Sequence, residues 1–445
     1  MFLEKFKQTR DEDALIWHDR IYKYEDLSLL IKQSLEFLDK NNVMSGTVIS
    51  LEADISPNSL AMLFALIERK AIIVPLSSSV LEKSEEFRKI SEVEKRIIID
   101  KDDNLSIKGA DIKSNHELIK KLQDKQKAGL ILFTSGSTGK SKAMIHDFDT
   151  ILEKFETPRP AKTTITFLLF DHIGGINTLF HVLSNGGCIV TVSDRSPTTI
   201  CKNIEKYKVQ ILPTTPSFIN LLLISEEYKK YNLSSLEVIT YGTEVMNEAI
   251  LKKFHEILPN IILKQTYGLS EIGIMSTKSE KSDSLWVKVG GKDFQTRIKD
   301  RMLEIKAKST MLGYLNANNP FTEDGYFITG DTVEQKGEYI KILGRKSEMI
   351  NVGGQKVYPV EVENELNQID NIADCLVRGE KHALMGQIVV AVVKLIKEEN
   401  VSDLKKRIRI ALKDKLESYK IPQKIILSKE DELHNQRFKK VRKEI

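Results

Sequence analysis

The strongest chemical signal in the chain is a loop of glycines and hydroxyl side chains that follows the apolar run of residues 130–133. The loop contains Thr134, Ser135, Gly136, Ser137, Thr138, Gly139, Lys140, Ser141 and Lys142. Glycine lets the backbone turn tightly and approach a ligand closely, and successive backbone N–H groups form a nest that binds anions. The hydroxyls add donors and the lysines add charge. The composition indicates a polyphosphate site rather than a plain turn.

The same loop has a second interpretation as the P-loop of ATPases and GTPases. Residues 139–141 supply the second half of the motif Gly-x-x-x-x-Gly-Lys-Ser/Thr. The first glycine of that motif would fall at Thr134, and the loop lies far from the first strand of the chain. Both facts count against a P-loop, although the loop alone leaves the two interpretations open.

The composition is typical of a soluble globular protein of more than one compact unit. The chain has 445 residues, a net charge of +4 and three widely spaced cysteines, with no Cys-x-x-Cys or His-Glu-x-x-His zinc motif. This cysteine usage favours a reduced, cytoplasmic protein. The charged N-terminus does not resemble a signal peptide, and no apolar run is long enough to span a membrane.

The positive charge is concentrated at the C-terminal end. Residues 344–445 hold 21 lysines and arginines against 16 acidic residues, and 437–443 is the densest basic part. A single aromatic residue lies in that part, and no nucleic-acid recognition motif accompanies it. We therefore expect no nucleic-acid partner.

Helical and strand patterns alternate through the first half of the chain. The pattern predicts helices over 24–38 and 60–66, and strands over 48–51, 71–75, 97–100, 130–133, 165–170, 188–192, 209–213 and 238–241. Such alternation is typical of doubly wound α/β sheets, whose ligands bind at the carboxyl ends of the strands. The loops after Phe133, Phe170, Pro213 and Tyr241 are therefore expected on one face.

The pattern changes twice in the second half. Short strands with polar turns, at 296–298, 302–306 and 339–342, predict a small β region after residue 285. Helix, strand and helix patterns at 360–368, 388–396 and 403–417 predict a separate α+β domain. We predict an N-terminal domain over 1–343, a hinge over 344–347 and a small mobile C-terminal domain over 348–445.

Five segments, taken together, resemble the adenylate-forming ligases: acyl-CoA synthetases, peptide-synthetase adenylation domains and luciferases. The loop 134–142 resembles their Thr-Ser-Gly-Ser/Thr-Thr-Gly-x-Pro-Lys signature, with Ser141 in place of proline. Residues 267–271 resemble Tyr-Gly-x-Thr-Glu, 326–331 resemble Tyr-x-Thr-Gly-Asp, and 344–361 resemble the Gly-Arg hinge and the glycine loop after it. The segments occur in the order of the family, which a P-loop enzyme would not show.

The resemblance implies an ATP site that activates a carboxylic acid as an acyl-adenylate and releases pyrophosphate. It places Mg²⁺ on Glu271, the Ser270 hydroxyl near the α-phosphate and ribose at Asp331 and Arg345. The residues it assigns to ATP or AMP are Thr134, Ser135, Gly136, Ser137, Thr138, Gly139, Lys142, Gly242, Thr243, Glu244, Tyr267, Gly268, Asp331 and Arg345. Tyr267 is expected to stack on adenine.

The lysine that bridges the carboxylate and the α-phosphate has two candidate positions. The family ends with Gly-Lys-aliphatic-x-Arg. Lys440 followed by Val441 is the preferred match, with Lys439 where glycine is expected. The shifted alternative uses Lys439 with Arg442 three residues later.

The resemblance also implies a second half-reaction. The C-terminal domain is expected to rotate about Ser347 and to bring Gly353 and Gly354 to the site. These glycines would line the tunnel for the pantetheine thiol of CoA. The alternative acceptor is a separate carrier protein.

The segment 170–175 is expected to border the acyl pocket. His172, Gly174 and Gly175 resemble the His-x-x-Gly of acyl-CoA and aryl-CoA ligases, in which His172 would act near the reacting centre. Phe170-Asp171 instead resembles amino-acid adenylation domains, where the aspartate meets the ammonium of the substrate. We favour an acyl-CoA ligase acting on a small carboxylic acid. A catalytically idle nucleotide-binding relative is the alternative of another class, and the altered segment at Lys439 and Lys440 is the feature that supports it.

Overall fold

The computed structural model describes residues 2–110, 112–135, 141–192, 194–291 and 293–428, together with positions 433, 440 and 442. Within these residues the α-helices are Phe2–Gln8, Tyr24–Lys40, Pro57–Glu68, Ser84–Ile90, Glu117–Asp124, Phe148–Leu152, Ile173–Leu183, Pro197–Tyr207, Pro216–Ser225, Glu248–Ile257, Pro359–Leu366 and Val401–Leu412. Short 3₁₀ turns are formed by Ser78–Lys83, Glu153–Glu156, Glu227–Lys229, Lys346–Glu348 and Ser418–Lys420. No helix among the described residues is both long enough and apolar enough to cross a membrane.

Two seven-stranded sheets form most of the N-terminal part. In spatial order, the first consists of Ile262–Gln265, Val238–Tyr241, Ile211–Thr214, Thr163–Ile165, Cys188–Val190, Asp13–Trp17 and Arg20–Lys23. The second consists of Gly313–Tyr314, Ser141–Asp147, Gly129–Ser135, Ile72–Leu76, Val48–Glu52, Lys95–Ile99 and Leu105–Gly109. The central strands of both sheets pair in parallel. Their apolar side chains pack with the intervening helices into continuous buried clusters, as doubly wound layers require.

A hairpin surrounds the glycine loop. Gly129–Ser135 pairs antiparallel with Ser141–Asp147, with Thr134 opposite Lys142. In a P-loop the segment after the lysine begins a helix, but here that segment is a strand. The P-loop interpretation is therefore wrong.

A third sheet of six strands confirms the β region predicted after residue 285. Its spatial order is Ser276–Ser279, Val287–Gly290, Tyr339–Arg345, Phe327–Lys336, Met302–Ala307 and Phe294–Lys299. A two-stranded ladder of Gly268–Leu269 and Gly273–Ile274 lies before it in the chain. The third sheet carries Asp331 opposite Arg345.

The C-terminal part has its own sheet and its own buried core. The strands Gln355–Val357, Ile350–Val352, Gly386–Leu395, Ile372–His382 and Lys424–Leu427 form this sheet. Its apolar side chains pack against Pro359–Leu366 and Val401–Leu412. The predicted fold class, a large α/β N-terminal domain followed by a small α+β domain, is confirmed, while the boundaries at 343/344 and 347/348 stay predictions.

One predicted strand is largely wrong. The apolar residues 165–170 were expected to continue a strand, but the strand Thr163–Ile165 ends at their beginning. Leu169 then accepts a hydrogen bond at its carbonyl from His172 N–H, which turns the chain into the next helix. Burial of Phe167 and Phe170 by tertiary contacts, and not by strand pairing, explains their apolar character.

Candidate active site

Parallel strands bring three loops to one edge of the first sheet. Thr214 lies opposite Tyr241, and Tyr241 lies opposite Gln265. The residues that follow these strand ends therefore meet, as expected at the carboxyl edge of an α/β sheet. A Cβ atom on Gly242 would lie 2.5 Å from the hydroxyl oxygen of Thr266, so this position requires glycine.

Thr243 has an unusual backbone conformation next to this contact. Its φ is +71°, in the left-handed region that β-branched residues rarely adopt. Backbone strain of this kind is concentrated at ligand sites. The Gly242–Glu244 loop is thus held in a defined shape beside the predicted adenine position.

A triad of two buried side chains and one half-exposed side chain joins Tyr267, Asp331 and Arg345. The Tyr267 hydroxyl donates to Asp331 Oδ2 at 2.5 Å, and Arg345 Nε lies 3.4 Å from Asp331 Oδ1. Burial raises the pKa of Tyr267 and the Asp331 charge raises it further, so the phenol remains a donor. Burial also raises the pKa of Asp331, while Arg345 acts in the opposite direction. Tyr267 and Asp331 are almost fully buried and Arg345 is half exposed.

An irregularity in the strand Phe327–Lys336, just before Asp331, presents the carboxylate of that residue. Gly330 has a φ of +79°, which glycine adopts without strain. The Thr329 hydroxyl accepts from the Asp331 N–H at 3.0 Å and donates to the Leu303 carbonyl at 2.7 Å. The Thr-Gly-Asp sequence therefore fixes the carboxylate from the backbone side.

A second group joins Glu271, Tyr314 and Lys142. The Tyr314 hydroxyl donates to Glu271 Oε1 at 2.7 Å, and Lys142 Nζ lies 5.3 Å from the centre of the Tyr314 ring. The latter distance is within the range of a cation–π contact. The tyrosine thus connects the lysine that closes the glycine loop to the predicted Mg²⁺ ligand. The negative charge of Glu271 also raises the pKa of Asp331, so the two groups are electrostatic neighbours.

Ser270 is held through its backbone by a buried histidine. The Ser270 carbonyl lies 2.8 Å from His146 Nε2, and the Ser309 carbonyl lies 3.3 Å from His146 Nδ1. Burial lowers the pKa of His146 to about 4. A neutral imidazole connects the strand after the glycine loop to the Ser270–Glu271 segment.

Part of the predicted phosphate loop lies outside the described residues. These are Gly136, Ser137, Thr138, Gly139 and Lys140, and the Ser135 side chain is also outside the description. The strands at both ends of the loop are described, and Asn316 holds one of them. Its side chain accepts from Ala143 N–H and donates to the Ser141 carbonyl, each at 2.9 Å.

The predicted acyl loop is held to the second sheet. Ser77, which follows the strand Ile72–Leu76, donates from its hydroxyl to Asp171 Oδ2 at 2.7 Å. His172 Nδ1 accepts from Gly174 N–H at 3.1 Å and caps the helix Ile173–Leu183. A Cβ atom on Gly175 would lie only 1.9 Å from the Leu169 carbonyl oxygen. The His-x-x-Gly pattern therefore has a structural basis in the entry to this helix.

Lys440, the preferred adenylation lysine, has its ammonium inside the C-terminal domain. Nζ lies 3.1 Å from Asp374 Oδ1 and 3.7 Å from Glu363 Oε2, and it donates to the Cys375 carbonyl at 2.6 Å. These contacts are all within the C-terminal domain. They do not bring the ammonium to Tyr267 or Glu271.

Glu244 joins the two domains. Its Oε1 accepts from the Lys440 backbone N–H at 2.5 Å and its Oε2 accepts from the Ser217 hydroxyl at 2.7 Å. Glu244 was predicted as part of the adenine loop, and it also contacts the C-terminal segment at Lys440.

The predicted hinge lies beside an interdomain cavity, because its residue Lys346 lines that cavity. Ser347 is exposed in the turn Lys346–Glu348. Gly353 and Gly354 have φ values of +57° and +88°, and a Cβ atom on Gly354 would meet no atom within 4 Å. The cavity has a volume of about 720 Å³, and Arg301, Lys346 and Tyr358 are among its lining residues.

Several site residues were not found from the sequence. They are Ser77, His146, Ser217, Tyr314, Asn316, Glu363 and Asp374. Each lies far along the chain from its partner, so spacing gave no signal for them. The ion pairs with Lys440 and Arg442 explain why the carboxylates of Glu363 and Asp374 are buried.

Comparisons with known families agree with this geometry. Residues 2–327 match the AMP-binding enzyme family, and residues 361–439 match the AMP-binding enzyme C-terminal domain. Indoleacetate–CoA ligase of Aromatoleum aromaticum is 28% identical over 344 residues, which cover 71% of this chain and 66% of that protein. The vibriobactin-specific 2,3-dihydroxybenzoate-AMP ligase of Vibrio cholerae is 28% identical over 54% of this chain and 48% of its own length. The chain thus spans just under two thirds, or about half, of these two relatives.

Solved structures share the whole fold. An anthranilate CoA ligase, AuaEII, in complex with anthranoyl-AMP superposes with a TM-score of 0.83 at 16% identity, over 99% of this chain and 95% of its own. ATP-bound MatB from Rhodopseudomonas palustris superposes with a TM-score of 0.80 at 19% identity, over 98% of this chain and 97% of its own. From the residues matched and the architecture they form, the chain belongs to the AMP-binding enzyme family.

Proposed function

We propose that this protein is an acid–thiol ligase that uses ATP to convert a carboxylic acid into an acyl-adenylate and then into a thioester of CoA. One observation carries this proposal. The Tyr267–Asp331–Arg345 triad lies beside the Glu271–Tyr314–Lys142 group. Asp331 offers an acceptor for ribose, and beside it Glu271 offers a carboxylate and Lys142 a cation for the phosphate region.

In the first half-reaction the substrate carboxylate attacks the α-phosphorus of ATP. A new O–P bond forms, the bond to the β-phosphate oxygen breaks, and pyrophosphate leaves with its electron pair. Two anions must approach each other, so fixed positive charge and fixed geometry supply the rate enhancement. Asp331 would accept from the ribose hydroxyls, Arg345 would contact ribose, and the Gly242–Glu244 loop and Tyr267 would enclose adenine. The loop 134–142 would hold the leaving pyrophosphate.

The donor set fits a magnesium ion. Glu271 offers a hard carboxylate oxygen, and Tyr314 orients that carboxylate by a 2.7 Å hydrogen bond. Among the described residues no group of three or more metal-ligating side chains is present. This suits Mg²⁺, which keeps several waters and is bound by one or two carboxylates with substrate phosphates. When bound, the ion would neutralise phosphate charge.

The contacts of Lys440 favour Lys439 as the adenylation lysine. The Lys440 ammonium is held by Asp374 and the Cys375 carbonyl, and contact with a carboxylate substrate would break both interactions. Lys439 was the alternative register, with Arg442 in the arginine position, and it lies outside the described residues. We therefore propose Lys439 for this role.

The substrate is proposed to be an acid without an ammonium group beside the carboxylate. Asp171 would meet that ammonium in an amino-acid adenylating enzyme. Here the carboxylate of Asp171 accepts from the Ser77 hydroxyl, and such donors stabilise a buried carboxylate without a substrate cation. Aryl acids are the first class to test, because the relatives and neighbours include ligases named for indoleacetate, 2,3-dihydroxybenzoate and anthranilate.

The second half-reaction transfers the acyl group to a thiol. The thiolate attacks the acyl carbon, the C–O bond to AMP breaks, and AMP leaves. We propose that the C-terminal domain turns about Ser347 for this step, since a few turn residues can absorb such a closure. The open space at Gly354 suits a thin pantetheine arm.

Exchange of labelled pyrophosphate into ATP tests the proposal. A panel of aryl, fatty, dicarboxylic and amino acids would be followed by CoA or a pantetheinylated carrier protein as acceptor. We expect exchange only with an aryl or fatty acid, and thioester formation with CoA. Phosphate release without exchange, or nucleotide binding without turnover, would contradict the proposal, and loading of the carrier alone would move the acceptor to that class.

A further inference from the structure

Lys440 lies in a charged pocket. If Lys439 is the adenylation lysine, the family pattern has an aliphatic side chain at the position of Lys440. The side chain is 12% exposed, Asp374 is 3% exposed and Glu363 is 4% exposed. Burial alone would lower the pKa of Lys440, but the two carboxylates outweigh it and hold the pKa above its usual value. The pocket therefore binds the ammonium form.

Arg442 makes the same attachment two residues later. Its Nη2 donates to both carboxylate oxygens of Glu363, at 2.8 and 2.9 Å, and its Nη1 lies 3.4 Å from Glu348 Oε2. Hydrogen bonds between an ionised donor and an ionised acceptor are stronger than those between neutral groups. Both described cations of the terminal segment thus point into the C-terminal domain.

The backbone of the same lysine contacts the N-terminal domain. The Lys440 N–H donates to Glu244, whose other oxygen accepts from Ser217 in the first turn of the helix Pro216–Ser225. A single residue therefore attaches the terminal segment to one domain by its side chain and to the nucleotide loop of the other domain by its backbone. A turn of the C-terminal domain would break only the second contact.

We propose that Lys440 is a positioning residue whose contact with Asp374 holds the terminal segment in the shape that docks on Glu244 for adenylation. The predicted effects on pyrophosphate exchange and thioester formation rest on the proposed function, whereas the contacts of Lys440 do not. Lys440 does no chemistry in this account. Its loss weakens the adenylation step, while thioester formation from a supplied acyl-adenylate needs no docking on Glu244.

The energetics of buried ion pairs give a sharp test. Removing one partner of such a pair is strongly unfavourable because it leaves a buried charge, whereas replacing both partners is often nearly neutral. Lys440→Met keeps most of the length of the side chain but leaves Asp374 without this cation. Adding Asp374→Asn removes that charge and keeps the oxygen that accepts from the Cys375 N–H at 2.8 Å. A chemical role for the ammonium would not be rescued by the second change.

The experiment compares Lys440→Met, the Lys440→Met/Asp374→Asn double variant and Lys439→Ala with the parent enzyme. Arg407→Met is the matched control, since Arg407 pairs with Glu399 in the same domain at 2.6 Å. We expect Lys440→Met to lower pyrophosphate exchange by about 10- to 100-fold, because only part of the full penalty for a broken buried pair acts on the adenylation step. The double variant should recover to within about fivefold of the parent, and thioester formation from supplied acyl-adenylate should change less than about threefold, because at most a small part of the pair energy acts there. Arg407→Met should behave as the parent in both assays.

Limited tryptic cleavage after Arg437, followed by mass spectrometry, gives a readout without catalysis. The positioning role predicts faster cleavage in Lys440→Met, reversed in the double variant, with no change in Lys439→Ala or Arg407→Met. That pattern in a protein without exchange would retain the positioning role and reject the proposed function. A double variant as inactive and as cleavable as Lys440→Met, or equal losses in both half-reactions, would overturn the inference.

Discussion

The nucleotide pocket and the terminal segment serve one reaction but are held in different ways. The pocket is fixed by hydrogen bonds between strands and loops of the N-terminal domain, as between Tyr267 and Asp331 and between Tyr314 and Glu271. The segment at Lys440 and Arg442 is held by ion pairs to the C-terminal domain and by a hydrogen bond to Glu244 of the other domain. In the proposed mechanism the pocket is therefore organised before substrates bind, whereas the segment would be delivered to it.

Substitutions in the pocket should therefore impair both half-reactions, and those at the segment should impair the first alone. The largest effect is expected for Asp331→Ala, which removes the carboxylate proposed to accept two hydrogen bonds from the ribose hydroxyls of ATP. Such hydrogen bonds contribute about 1.5–3 kcal/mol each, so kcat/KM for ATP should fall by about 100-fold or more. Pyrophosphate exchange at varied ATP measures this loss. Asp324→Asn, an exposed carboxylate of the same domain paired with Arg297, is the control, and normal exchange in Asp331→Ala would reject the assigned pocket.

The next effect concerns the loop of the acyl pocket. Gly175→Ala places a Cβ 1.9 Å from the Leu169 carbonyl oxygen, so the loop must move. Overpacking of this kind costs about 1–3 kcal/mol, and we expect a raised KM for the acid with a lower melting temperature. Gly109→Ala, where no atom lies within 4 Å of the new Cβ, should change neither value. An unaltered KM in a stable Gly175→Ala protein would place the acid elsewhere.

Tyr314→Phe tests the support of the metal ligand. Loss of the hydroxyl leaves Glu271 without the 2.7 Å donor, and a hydrogen bond to a charged group contributes about 1.5–3 kcal/mol. We expect about a tenfold higher half-saturating Mg²⁺ concentration in the exchange assay, since about 1.4 kcal/mol corresponds to a factor of 10. Tyr326→Phe, which removes a 3.2 Å contact to Gln295, is the control. An unchanged Mg²⁺ titration would separate Glu271 from the metal.

The smallest effect is a pH dependence of stability from His146. Its pKa is lowered by burial to about 4 in the folded protein, against about 6.5 in the unfolded chain. The unfolded state therefore binds the proton first, and stability falls as pH drops from about 6.5 towards about 4. We expect the free energy of unfolding in urea to be about 1.3 kcal/mol lower at pH 5.5 than at pH 7.5. His146→Gln should remove most of this difference and His18→Gln, at an exposed turn, should retain it; equal slopes in all three proteins would show that His146 is not the cause.

The sequence was sufficient for the architecture and for the parts of the site that are contiguous in the chain. The alternation of patterns predicted the α/β layers, and the β region after residue 285 was found because polar turns separate its strands. Tyr267, Glu271 and Asp331 belong to short runs with a recognisable pattern. The structure brings two of these residues into direct contact.

Residues that act through long-range packing could not be predicted in this way. Tyr314 reaches Glu271 only because the strand Gly313–Tyr314 pairs with Ser141–Asp147. The choice between Lys439 and Lys440 depends on Asp374 and Glu363, which are far from both in the chain. Hydrophobic pattern favoured Lys440, because burial of a lysine between two carboxylates leaves no mark on the local sequence.

Transfer of oxygen from the carboxylic acid to AMP is the best test that a carboxylate attacks the α-phosphorus of ATP in this pocket. The carboxylic acid found active in the exchange panel would be labelled with ¹⁸O and incubated with ATP, Mg²⁺, CoA and the full-length enzyme. We expect AMP that carries one ¹⁸O atom and pyrophosphate that carries none. The bridging oxygen of the acyl-adenylate comes from the acid, and it remains on phosphorus when the thiol attacks the acyl carbon. Formation of ADP and phosphate, or of AMP without label, would contradict it.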